Sequence, residues 1–275
     1  MTSHDAVNLV RKIFQTRKVG HIGTLDPAAT GVLPIAIGQA TKFIEYLDNC
    51  DKTYRAEILF GVETDSGDVT GKIIRSAENF VMPVLVELQA AAKNFTGQIE
   101  QSPPKFSAIK INGRKAYELA RKNIDFEMPR RVVTISRFEI LSAAENFITA
   151  EVDCSKGTYI RSLAADFGAA FNLPATLKNL QRRRAGAFNI EKAVTIDALK
   201  NLVERALMPI DACLEFESFN MPPRRLKAYC NGLPTNISHA DATVKVYCDG
   251  KFLGVGKITR GELRSEKFFQ YENLS

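Results

Sequence analysis

The sequence predicts an α+β protein: a mixed, mainly antiparallel central sheet with flanking helices, followed by a small β-rich module at the C-terminus. Three observations lead there. Thr53 to Phe60 alternates strictly, with Tyr54, Ala56, Ile58 and Phe60 on one side and Thr53, Arg55, Glu57 and Leu59 on the other, the pattern of a half-buried strand. Further strand patterns, at 132–141 and 147–154, are interleaved with helical stretches at 83–95 and 160–171, and no internal repeat organises them. Prolines 209, 222 and 223 bracket irregular sequence at 208–223, which marks a boundary before the last 60 or so residues.

Each element has its own warrant. Ser3 can cap a short amphipathic helix through about Phe14, with Val7, Val10 and Ile13 or Phe14 on one face. A loop rich in glycine follows, then the alternating strand, then a polar turn region from Gly61 to Gly71. The helix over 83–95 includes Ala90-Ala91-Ala92. Lys156-Gly157 turns the chain into an apolar helix from Ile160 to about Phe171, stopped before Pro174, and another helix fits 196–206. In the C-terminal module, Asp249-Gly250 between 243–248 and 251–255 is a hairpin signal.

Composition narrows the function. The 275 residues are 45% hydrophobic and 25% charged, with no apolar run near the roughly 18 residues of a membrane span. Met1-Thr2-Ser3-His4-Asp5 has no basic region leading into an apolar stretch, so a cytoplasmic protein is expected. The cysteines at 50, 154, 213, 230 and 248 are odd in number, widely spaced and never in a C-x-x-C pair; they read as small buried hydrophobes, and the three scattered histidines disfavour metal catalysis. The net charge is +6, and residues 101–137 alone carry nine Lys/Arg against three acids. A second basic cluster is Lys178 with Arg182-Arg183-Arg184, so a polyanion is the expected partner. The segment at about 101–131 starts with Pro103-Pro104 and ends near Pro129, which suggests an exposed excursion between regular elements.

One carboxylate stands out. Asp26 lies between Gly20, Gly23 and Gly31 and directly precedes Pro27, which pushes it away from helical dihedrals. Such a carboxylate is aimed rather than merely solvated, although Asp in this setting is also a common turn former.

The run G-H-I-G-T-L-D-P-A-A-T-G-V-L, Gly20 to Leu33, resembles the catalytic loop of the bacterial tRNA pseudouridine synthase B family. Three more segments agree in the same order: Asp51-Lys52-Thr53-Tyr54-Arg55-Ala56; Gln101-Ser102-Pro103-Pro104-Lys105-Phe106-Ser107-Ala108-Ile109-Lys110; and Cys154-Ser155-Lys156-Gly157-Thr158-Tyr159-Ile160-Arg161. The resemblance implies a pseudouridine synthase domain over 1–210 and a PUA-like RNA-binding module over 216–275. It implies conversion of uridine-55 in the T loop of tRNA to pseudouridine, after base flipping, with no metal or organic cofactor and no obligatory protein partner, the enzyme acting as a monomer. By resemblance Asp26 is the catalytic aspartate, acting on C1′ or through a glycal-like intermediate. The same resemblance implies that His21 stacks into the RNA beside the flipped nucleotide, that Tyr54 stacks on the uracil, that Tyr159 lines the pocket and Leu180 closes it, and that Arg161 pairs with Asp26. The excursion is then expected to be an RNA-gripping segment with Lys105, Lys110 and Arg114, and Arg182, Arg183 and Arg184 are expected to meet phosphates. The family normally carries Lys-Pro-x-Gly just before the Thr2-Ser3-His4-Asp5 segment, so either the true start lies upstream of Met1 or the loop that packs near the active site in the family is absent here, which would put activity in question. The competing reading is a non-catalytic tRNA-binding or folding chaperone on the same scaffold. A glycoside hydrolase ranks below both, since it calls for two flanking carboxylates and no second acid sits in a matched motif.

Overall fold

The computed structural model describes residues 1–122 and 124–270. It forms two compact units, one made of Leu25–Val32 and Cys50–Ala193, the other of Met1–Thr24, Leu33–Asn49 and Val194–Ser275. Residues 271–275 of the expected C-terminal module lie outside the described residues.

The first unit is built on a seven-stranded sheet. Its strands run in the order Phe188–Asn189, Ala175–Ala185, Lys52–Phe60, Phe147–Cys154, Arg131–Ala143 and Gly97–Gln101, all antiparallel. Thr30–Gly31 adds a short parallel pairing to Ala175–Ala185. The alternation read from the sequence sets the faces: Tyr54, Ala56, Ile58 and Phe60 point into the core with Ile148, Ala150, Val152 and Cys154 from the neighbouring strand. Helices Leu85–Lys93 and Ile160–Ala169 cover that face through Leu88 and Ala92 and through Ile160, Leu163, Ala164 and Phe167. Phe167 is the hub of a ring cluster, with Phe138 at 4.9 Å, Phe95 at 5.5 Å, Phe171 at 5.6 Å and Phe60 at 6.2 Å, all edge to face, the favoured geometry for ring quadrupoles. The opposite face carries an ionic lattice in which Arg137 contacts Glu139, Glu151 and Asp153.

In the second unit, helix Ser3–Ile13 sets Val7 and Val10 against Val19, and Val19–His21 pairs with Ile35–Ile37. A five-stranded sheet follows, ordered Glu217–Asn220, Ala242–Cys248, Lys251–Thr259, Glu262–Phe268, Thr235–Asn236. Asp249 and Gly250, both at positive φ, make its expected tight hairpin. The segment Gly38–Asp48 belongs to the same body: Phe43 is fully buried 5.8 Å from the Phe252 ring, Lys42 donates to the Phe268 carbonyl at 3.1 Å, and Tyr46 to Glu266 at 3.0 Å.

Several expectations shift. Thr2, not Ser3, caps the first helix, because Thr2 and Asp5 exchange hydrogen bonds in a capping box. The helix over 196–206 is α-helical only to Leu202 and tightens to a 3-10 turn over Val203–Ala206. The polar turn region after Gly61 contains a small pairing of Val62–Thr64 with Ile73–Ser76. Strand Ala175–Ala185 has no counterpart in the expected elements, and it turns out to border the site. Of the cysteines, 154, 213 and 248 are buried, whereas Cys230 is exposed and Cys50 half-buried.

Candidate active site

Asp26 is presented by a turn. Pro27 takes the second position, for which its fixed φ is suited, and the Ala29 N–H closes the turn on the Asp26 carbonyl at 2.9 Å. Beyond it the chain is stitched to the sheet: Val32 N–H donates to the Arg182 carbonyl at 2.8 Å, and Arg182 Nε returns a bond to the Val32 carbonyl at 2.8 Å. Gly31 makes this possible. Its φ is +101°, and a Cβ there would stand 2.2 Å from the Arg182 carbonyl oxygen, so no other residue fits without moving the strand.

Arg161 holds the carboxylate from below. It follows directly on the start of helix Ile160–Ala169, whose entry is fixed by Gln101: the buried amide accepts from Tyr159 N–H at 2.7 Å and donates to the Tyr159 carbonyl at 3.0 Å. Arg161 Nε lies 2.9 Å from Asp26 Oδ2, and Nη2 donates to Asp26 Oδ1 at 3.2 Å, a side-on, two-point ion pair. The fork is also anchored by the carbonyls of Ser66 (2.8 Å) and Phe106 (3.2 Å), with Asp68 Oδ2 at 3.9 Å. The Arg161 side chain is 5% exposed and that of Asp26 39%, so the cation is inside and one side of the carboxylate remains open.

Of the groups that anchor Arg161, those in the loop after Gly61, Ser66 and Asp68, escaped the sequence reading. Thr64 Oγ1 donates to the Asp68 carbonyl at 2.7 Å, Ser66 Oγ to Asp68 Oδ1 at 3.0 Å, and the Gly67 carbonyl accepts from Leu177 N–H at 3.0 Å. Thr64-Asp65-Ser66-Gly67-Asp68 is a run of residues whose short side chains bond their own backbone, and that was its available signal.

Tyr54 and Leu180 are 8% and 9% exposed, on adjacent strands, with Tyr54 opposite Arg182 and Leu180 opposite Ala56. Burial pushes the Tyr54 phenol up to about 12, with the neighbouring Arg182 pulling the other way, so the phenol is neutral at ordinary pH. Tyr159 is half-buried, with the Arg131 guanidinium 4.7 Å above its ring. Asp26, Arg161, Tyr54, Tyr159 and Leu180 thus all belong to the first unit, while His21 lies half-exposed on strand Val19–His21 of the second.

The sequence pattern of the TruB family pseudouridylate synthase N-terminal domain matches residues 11–160. The tRNA pseudouridine synthase B of Francisella philomiragia is 41% identical over 99% of this chain and 92% of its own length; that of Alkaliphilus oremlandii is 40% identical over 100% and 94%. This chain belongs to the TruB family. Two solved structures share its fold: an H/ACA ribonucleoprotein bound to a substrate RNA containing 2′-deoxyuridine (TM-score 0.73, 21% identity, 99% of this chain and 83% of that one), and an archaeal box H/ACA Nop10–Cbf5 complex (TM-score 0.71, 22% identity, 99% and 84%). The architecture is therefore the pseudouridine synthase fold with a C-terminal β module of PUA-like kind. No helix among the described residues is long and apolar enough to cross a membrane.

In this TruB-family protein the basic residues divide by face. Arg182 is fully buried, which corrects the expectation that it meets phosphate. Two bulges are the reason: the one between Leu177 and Asn179 shifts the phase so that Leu180 and Arg182 face inward, and the one between Arg182 and Arg184 keeps both Arg183 and Arg184 outward. Arg183 pairs with Glu191 at 2.8 Å, and Arg184 donates to Thr53 Oγ1 at 3.1 Å with Asp153 at 3.9 Å. The basic excursion leaves and returns at one rung of the sheet, where Gln101 faces Arg131. It holds a two-rung hairpin of Lys110–Ile111 with Arg114–Lys115, turned by Asn112-Gly113 at positive φ, and the helix Ala116–Arg121. Asn-Gly was the missed hairpin signal. Lys110 and Arg114 are exposed; Lys105 is exposed too and pairs with Asp125 at 3.2 Å.

Proposed function

We propose that this TruB-family protein converts uridine-55 in the T loop of tRNA to pseudouridine, with Asp26 as the catalytic carboxylate. The observation that carries the reading is the contrast at the ion pair: a buried guanidinium fixes the carboxylate at two points while 39% of the Asp26 side chain stays exposed. A carboxylate serving only to neutralise a buried arginine would be expected to be buried with it. The tRNA substrate is supported by the relatives named tRNA pseudouridine synthase B, and uridine-55 by the resemblance of the Gly20–Leu33 loop.

The chemistry is an isomerisation. The N1–C1′ bond breaks, the uracil turns, C5 bonds to C1′, C5 loses its proton, and N1 gains one. Nothing is oxidised or reduced, so the balance asks for no cofactor. Asp26 acts on C1′ or by promoting a glycal-like intermediate; either role needs one oriented carboxylate beside the sugar. The target base must leave its stack, at a cost of a few kcal/mol. Tyr54 stacking on it recovers about 1–3 kcal/mol, with His21 filling the gap in the RNA and Tyr159 and Leu180 bounding the base. Lys105, Lys110 and Arg114 on the excursion grip the T stem-loop, with Arg183 and Arg184 contributing at the rim. In this division of labour residues 1–210 are catalytic and 216–275 bind RNA, in a cytoplasmic monomer.

The test is release of tritium from C5 of uridine in the T arm of a tRNA transcript. Asp26→Asn should abolish release and leave tRNA binding nearly intact. Product formation by that variant refutes the assignment; wild-type protein that binds tRNA without releasing tritium supports the chaperone reading instead.

A further inference from the structure

Both residues of the rung at the root of the excursion act on Tyr159. Gln101, 1% exposed, clamps the Tyr159 backbone through its N–H and its carbonyl. Arg131, its partner across the strands, lays its guanidinium over the Tyr159 ring at 4.7 Å. Gly157, at φ +87°, gives the arginine its place, since a Cβ there would stand 3.2 Å from Arg131 Nη1. Two of the guanidinium nitrogens, Nε and Nη2, are buried and make no hydrogen bond among the described residues. Burying unpaired N–H groups is costly. An apolar side chain would cover the ring without that cost, so packing alone does not account for an arginine here. A cation over the face of a tyrosine is attracted by the ring quadrupole and resists sliding of the ring beneath it. Tyr159 also immediately precedes the helix that carries Arg161, so whatever fixes Tyr159 fixes the approach of Arg161 to Asp26.

We propose that Arg131 is a positioning residue for the isomerisation, acting through Tyr159, and that the Gln101–Arg131 rung connects the excursion to the reacting groups. The proposal rests on the reading of Tyr159 as part of the uridine pocket. RNA gripped by residues 102–130 then pulls on the rung that holds this tyrosine, so binding along the excursion and alignment of the pocket are one mechanical event.

The experiment uses the full chain and a tRNA transcript tritiated at C5 of its uridines. Single-turnover release at saturating enzyme, and the tRNA dissociation constant, are measured for wild type, Arg131→Ala, Arg131→Lys, Tyr159→Leu and the double variant Arg131→Ala/Tyr159→Leu. Arg131→Ala should slow release about tenfold with binding changed by less than about twofold, as expected of a group that makes no phosphate contact. Arg131→Lys, which keeps a cation over the ring, should recover most of the rate. In the Tyr159→Leu background, Arg131→Ala should add nothing. If Arg131→Ala does not fold, Arg131→Gln against Arg131→Lys makes the same comparison. Weaker tRNA binding with a lower salt slope and an unchanged rate at saturation overturns the proposal and makes Arg131 a phosphate contact; additive losses in the double variant overturn it as well. A slow Tyr159→Leu beside a full-rate Arg131→Ala rejects the positioning role alone, whereas a full-rate Tyr159→Leu rejects the pocket reading on which it rests.

Discussion

Arg161→Lys keeps the positive charge at the ion pair and removes its geometry. The arginine fork touches Asp26 at two points and donates to the carbonyls of Ser66 and Phe106, with Asp68 near by. An ammonium is a compact point charge and cannot reproduce that planar set. Because the Arg161 side chain is 5% exposed, these contacts are not discounted as those of a surface pair would be. Hydrogen bonds to charged groups contribute ~1.5–3 kcal/mol each, so losing one or two of them costs about 2–4 kcal/mol of stability, or on the order of 5–15 °C in Tm for a unit of this size. The effect on rate is separable. A carboxylate displaced by about 1 Å from its productive placement loses on the order of 100-fold in rate. Since the pair faces no phosphate in this reading, tRNA binding should change by less than about threefold.

The assay is single-turnover tritium release from C5, run well below both melting transitions, with the tRNA dissociation constant measured alongside. Arg161→Ala is the harsher variant: it leaves the Asp26 and Asp68 carboxylates and two carbonyls without their cation, at roughly 3–5 kcal/mol. The two variants should both be slow while differing in Tm. Arg161→Lys at a rate within about threefold of wild type would refute the reasoning, because a charge without a fork would then orient Asp26 well enough.

Three further outcomes are expected. Neutralising Lys105, Lys110 and Arg114 together should weaken tRNA binding and reduce the slope of log K against log salt by about 2–3; an unchanged slope means that the excursion does not touch phosphates. Gly31→Ala should destabilise by about 2 kcal/mol or more, because its Cβ would meet the Arg182 carbonyl at 2.2 Å at a φ of +101°, and chemical denaturation measures it. Asp153 is opposed by burial but held below its ordinary 3.8 by the Thr53 hydroxyl and the Arg137 guanidinium. A carboxyl lowered in the folded state contributes stability above its unfolded value and loses it as pH falls through the folded one. Asp153→Asn should therefore lower Tm at pH 7, with the difference fading below about pH 3.8; a difference independent of pH contradicts this account.

What the sequence made legible follows from physical regularity. Strand Lys52–Phe60 lay open because its alternation is unbroken, and Tyr54, Ala56, Ile58 and Phe60 all point where a period of two puts them. Asp26 was legible because glycines and a proline are needed to build its turn and its approach to the sheet, and Gly31 has no tolerable substitute there. Strand Ala175–Ala185 was hidden for the opposite reason. Bulges between Leu177 and Asn179 and between Arg182 and Arg184 interrupt its period, so its inward side chains fall at 175, 177, 180, 182 and 185, a spacing no simple template matches. The same irregularity misled the charge reading. Three successive arginines look alike in a sequence, and a count assigns all of them to the surface. Their environments differ because the two bulges together decide which one turns inward: Arg182 bonds the Val32 carbonyl and lies beside Tyr54, while Arg183 and Arg184 remain with Glu191 and Thr53. A bulge next to a functional site re-aims a side chain. Here the bulge after Leu177 shifts the phase so that a guanidinium reaches the inner face beside the residue expected to stack on the substrate base, and the feature that defeats periodicity is the one that shapes this side of the site.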